Sequence, residues 1–173
     1  MRPANRADEH VQMAHRAATL AQGGVDINPE TGLCTDYLNH FNEAIMVLEM
    51  LAAMPEVVDE FLGWKPRSYH EHFATSNFKN REAVLVAYQG ADPVTREALD
   101  ALADTMNSML SATRDVIRTG NSATTSAALA KNAVMRLKPL VARAGMVING
   151  RMTRKSTAEA GTPQAAVDAL LQR

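Results

Sequence analysis

Residues 92–120 read DPVTREALDALADTMNSMLSATRDVIRTG, and this stretch decides the fold class. Asp92-Pro93 is a strong helix start, a capping carboxylate followed by the residue whose fixed φ suits the first helical position, and Gly120 is a plausible stop. Between them Val94, Ala98, Leu102, Met106, Met109, Thr113 and Val116 recur at near-heptad spacing over seven turns. A helix this long, with an apolar stripe along its whole length, calls for partner helices.

Four further segments carry helical periodicity, and none carries a period-2 pattern rich in β-branched residues. Residues 6–21 place Ala7, Val11, Ala14, Ala18 and Ala21 on one stripe, which Gly23-Gly24 terminates. A second helix, capped by Thr35 or Asp36, directs Leu38, Phe41, Ile45, Leu48 and Ala52 to a core. Pro55 breaks it after Met54 and opens a short continuation through Val58, Phe61 and Leu62 that Gly63 ends. Residues 64–91 form an excursion of short helices, with capping-box spacing at Ser68 and Glu71 and a candidate cap at Asn80. The last long helix starts at Asn121 or Ser122. It aligns Ala130, Ala133, Val134, Leu137, Leu140, Val141, Ala144 and Ile148, with Pro139 on the other face predicting a kink or break near Lys138.

The expectation is an all-α, antiparallel bundle of about four principal helices within one domain, residues 1–150. Residues 151–173 lose the core stripe and read as a flexible basic tail with a short terminal helix at Thr162-Pro163. The apolar stretches are too short for a membrane span. Residues 1–24 are interrupted by Asp8, Glu9, His10, His15 and Arg16, so no export signal is expected there. A single cysteine, Cys34, allows no internal disulfide and points to a reducing, cytoplasmic setting.

A net charge of −1 hides a dipolar chain. Residues 1–113 hold eight Lys/Arg against sixteen Asp/Glu, and residues 114–155 hold nine against one. Such a basic segment would suit a polyanion. It lacks the aromatic residues that stack bases, and the chain shows no helix-turn-helix or zinc-finger signature, so nucleic acid, bound through its backbone alone, is the lesser expectation. Compensation within the fold or a homodimer accounts for it better, with Arg136, Lys138 and Arg143 as the candidate partner-binding cations.

Five of the eight aromatic residues fall between Phe61 and Phe78. Phe61, Trp64, Tyr69 and Phe73 are candidates for anchoring a partner protein, in the way aromatic side chains dominate interfaces. A lid closing one end of the bundle is the simpler reading, because irregular segments must bury something.

Candidates for chemistry are sparse. Asp36, His40 and Glu43 share a helix face at i, i+4 and i+7, a weak metal set, but no Glu-x-x-His of a di-metal bundle is present. A half-exposed His40 could relay phosphate, yet Asp36 and Glu43 would repel it, and no Lys or Arg stands within four residues. His70 and His72 diverge on a helix and would share a ligand only on an extended segment. Cys34 before a helix start is a weak nucleophile candidate. No phosphate-cradling glycine loop occurs and no cofactor is implied. The expected function is therefore a non-enzymatic regulatory or adaptor protein acting through helix-mediated contact, with a His40-based phosphorelay or metal-dependent enzyme and a nucleic-acid-associated protein as alternatives.

Overall fold

The computed structural model describes residues 26–77, 80–120 and 122–151. The helix expected over residues 6–21 and the tail expected over 151–173 lie outside them, apart from Arg151. Among the described residues six α-helices follow in order: α1 (Asn39–Met50), α2 (Val58–Gly63), α3 (Tyr69–Thr75), α4 (Arg81–Gly90), α5 (Pro93–Arg118) and α6 (Ala123–Ile148). Short 3-10 turns, Thr35–Leu38 and Pro55–Val57, lead into α1 and α2. The fold is all-α. Its one extended pairing among the described residues is an isolated bridge between Ile27 and Cys34.

The local signals largely act as chemistry demands. Asp92 Oδ2 accepts from the Thr95 backbone N–H at 2.9 Å, Ser122 Oγ accepts from Thr125 N–H at 3.2 Å, and Ser68 and Glu71 complete a reciprocal capping box. Each such cap satisfies an otherwise orphaned helical donor and contributes about 1 kcal/mol. Gly120, at φ +86°, turns the chain between α5 and α6 where other residues would be strained. The second helix starts differently from expectation: neither Thr35 nor Asp36 caps it, a 3-10 turn precedes α1, and no side chain bonds at either start. Asn80 likewise sits at the cap position of α4 without a side-chain bond.

α6 is the centre of the packing, lying against α5 over most of its length and against α1. The short turn after Arg118 makes α5 and α6 antiparallel. Ala130, Ala133, Leu137, Ala144 and Ile148 form its buried stripe, facing Leu99, Ala103, Met106, Leu110 and Ile117 of α5 and Phe41, Ile45 and Leu48 of α1. The three alanines let the backbones approach closely. Pro139 does not break α6. It stands on the exposed side, where the Met135 carbonyl that loses its helical donor can meet solvent.

The buried stripe of α5 is rotated from the one its heptad spacing suggests. Val94 is 68% exposed and Val116 46%, while Thr95, Leu99, Ala103, Met106, Leu110 and Ile117 are buried. Of the expected stripe, Met106 is buried and Leu102, Met109 and Thr113 are half-buried. The cause is that α5 carries two adjacent uncharged sectors. At 100° per residue all seven of its charged side chains fall within about 100° of circumference, leaving the larger leucines to select the inner sector. Leu99→Ala and Leu110→Ala should each cost about 3 kcal/mol in urea unfolding, whereas Val94→Ser should change stability by less than about 0.5 kcal/mol. The opposite ranking would contradict this register.

Candidate functional site

The excursion from α2 to α4 folds over one side of α1 and α5 and builds an aromatic interior containing two histidines. Tyr37, Phe41, Phe61, Tyr69 and Phe73 are each at most 1% exposed. Rings meet edge to face at Tyr37–Phe41 (5.3 Å) and Tyr37–Tyr69 (5.2 Å), and Tyr69 stacks on Tyr88 at 4.5 Å. This corrects the anchoring-surface reading: Phe61, Tyr69 and Phe73 are core, and Trp64 is half-buried against His40. They close the bundle.

The lid is fastened by polar groups reaching from neighbouring elements. Tyr69 Oη accepts from the Cys34 N–H at 2.9 Å, and Tyr37 Oη and Asn107 Nδ2 donate to the Arg67 carbonyl at 2.8 and 3.0 Å. Arg114 donates to the Trp64 carbonyl at 2.9 Å and Arg118 to that of Leu62 at 3.4 Å, while both pair with Asp115. Two of the nine cations counted in residues 114–155 therefore hold the excursion onto α5. A third, Lys138, pairs with Glu49 of α1.

His40 is only 5% exposed, not half-exposed, because Trp64 stacks on it with ring centroids 4.9 Å apart. His72 of α3 approaches it to 5.8 Å. Spacing along the chain gave no sign of this meeting, since it depends on α3 folding back over α1. Nε2 of His40, Nδ1 of His72 and Oδ1 of Asn107 are buried without a hydrogen-bond partner among the described residues. Asp36 instead engages Asn39 and the Cys34 thiol, and Glu43 is exposed. The trio Asp36, His40 and Glu43 is thus split between interior and surface. Among the described residues no group of three or more His, Cys, Asp or Glu could hold a metal ion. Burial also pushes the Cys34 thiol up to about 12, the reverse of an activated nucleophile.

The outer surface carries a different feature. Ala128, Asn132, Met135, Pro139, Ala142 and Met146 alternate at spacings of four and three along α6, all exposed and none charged. Lys131 and Lys138 border this ridge on one side, and Arg136 and Arg143 on the other, all four exposed. The ridge has the pattern of a coiled-coil seam with basic flanks. Sequence reasoning passed over it because the stronger apolar stripe on the opposite side accounted for the helix.

Among the described residues no helix is long and apolar enough to cross a membrane. No family model, curated protein or solved structure matches the chain.

The buried histidines give a testable acid response. Burial, the neighbouring His72 and Arg67 lower His40 from the ordinary 6.5 to about 4, and burial first, then Arg67, lowers His72. The unfolded chain therefore binds protons that the folded one does not, so stability is full above pH 6.5 and declines as pH falls towards about 4. Urea midpoints at pH 7, 6 and 5 should decline more steeply for the wild type than for His40→Phe. Parallel declines would show that His40 carries none of the dependence.

Proposed function

We propose that this chain is a non-enzymatic regulatory or adaptor protein that works through helix-mediated protein contact in a reducing, cytoplasmic setting, with a second copy of itself as first partner. The observation that carries the reading is the uncharged ridge of α6. A soluble helix normally spends its outermost face on charge, whereas α6 presents Met135 at 60% exposure and Met146 at 42% there and moves its cations to the edges. Apolar contact along the ridge supplies affinity, and the basic edges choose an acidic partner and fix register. A second copy offers acids: Glu56, Asp59 and Glu60 around the start of α2, and Glu97 and Asp104 along α5, are exposed.

The interior location of His40, split from Asp36 and Glu43, favours this reading over a His40 phosphorelay or metal-dependent enzyme. The structural use of Arg114, Arg118 and Lys138 favours it over a nucleic-acid-associated protein, since fewer cations remain for phosphate. Of the candidate cations Arg136, Lys138 and Arg143, the pairing with Glu49 gives Lys138 a role within the fold, so Lys131 replaces it in the test.

Light scattering at micromolar concentration should give twice the chain mass for the wild type. Both Met135→Lys/Ala142→Lys and Lys131→Glu/Arg136→Glu/Arg143→Glu should give the single-chain mass with unchanged helical circular dichroism. High salt should weaken the wild-type dimer. A wild type that stays single at every concentration, or a dimer that both variants keep, overturns the homodimer.

A further inference from the structure

Where α5 turns back into α6, the end of α1 and the start of α2 leave a cleft of about 340 Å³. Leu51, Val58, Leu62 and Ile117 form its aliphatic walls, and among the described residues no aromatic ring or carboxylate lines it. Arg118, with Ala123 and Ser126 in the first turn of α6, forms its polar side. We infer that this cleft binds an aliphatic monocarboxylate of medium chain length, its alkyl body among the four apolar side chains and its carboxylate at Arg118, Ser126 and the first turn of α6.

Ser126 carries the argument. It is only 7% exposed, yet its hydroxyl makes no hydrogen bond to any described residue. Hydroxyls inside a helix commonly turn back to the carbonyl four residues earlier, as those of Thr105 and Thr113 do to Ala101 and Met109 at 2.8 Å. Ser126 makes that link through its backbone N–H alone, to the Ser122 carbonyl at 2.9 Å, and its side chain lines the cleft. A hydroxyl withdrawn from bulk water without a partner is costly unless a ligand supplies the bond.

The surrounding donors define the charge of that ligand. Ser122 Oγ accepts from the Thr125 N–H, which leaves the N–H groups of Ala123 and Thr124 without a described acceptor at the positive end of α6. Arg118 gives one N–H to Asp115 and one to the Leu62 carbonyl, and its planar fork keeps others for a ligand. One cation, partly offset by Asp115, suits a single negative charge better than a phosphate dianion. The volume lies near the lower end of the range for ligand pockets, about 300–1,000 Å³, so the ligand is small. Walls without an aromatic ring suit an alkyl body better than a planar one.

Octanoate is the probe. Titrated into the full chain at neutral pH and followed by amide NMR shifts, it should saturate at one molecule per chain and move the resonances of Leu62, Ile117, Ala123 and Ser126. Hexanoate, two methylenes shorter, should bind about tenfold more weakly, since each buried methylene is worth about fourfold in affinity. Octylammonium, a similar body with the opposite charge, should also lose at least about tenfold. Ser126→Ala should weaken octanoate about fivefold. Ala123→Phe, at an exposed position that leaves the core intact, should abolish binding by filling the mouth of the cleft. Octanoate that fails to saturate, octylammonium that binds as tightly, shifts confined to other faces, or full affinity in Ala123→Phe each overturns the inference. The cleft shares no residue with the α6 ridge, so this titration and the light-scattering test of the homodimer fail separately.

Discussion

The arrangement depends on the close antiparallel contact of α5 with α6. Ala130, Ala133 and Ala144 bring α6 near enough for Leu137 and Ile148 to fill the space between it and the leucines of α5, and α1 seals the other side. Interiors are packed so densely that one misplaced methylene is felt. Placing the narrow residues on the central helix fixes where every other helix can go.

The lid depends on that contact in turn. Once α5 is in place, Asn107, Arg114 and Arg118 project from one side of it, two turns and then one turn apart, and each bonds a backbone carbonyl of the excursion. Those bonds hold residues 62–67 where Trp64 covers His40 and α3 brings His72 beside it. Two neutral imidazoles inside an aromatic box are chemically quiet near neutral pH, and they make the lid the acid-sensitive part of the molecule. Arg114 and Arg118 of α5 thus fasten the lid, and of the residues that suggested chemistry His40 and Cys34 lie in the interior.

Periodicity, prolines and caps made the helix class and most boundaries legible, because those signals act within one turn of the chain. Asp92-Pro93, Ser122, the Ser68–Glu71 box and Gly63 each act within a few residues of where they stand. The rotation of α5 was not legible: two apolar sectors lay side by side, and only the presence of α6 and α1 chooses between them. Nor was the burial of His40, which needs Trp64, twenty-four residues away, to fold across it. The α6 ridge could have been found by asking which exposed helical face lacks charge as well as which face is apolar.

If the α5–α6 contact is the element on which the rest depends, it must be the last to open. Native-state hydrogen exchange, followed residue by residue under increasing denaturant, tests this most directly. Amides of Leu110, Ala130 and Leu137 should exchange only through global unfolding, with those of α3 and α4 opening at lower free energy. Amides of α3 that outlast those of α6 would contradict the account and make the aromatic lid, not the α5–α6 pair, the foundation of the fold.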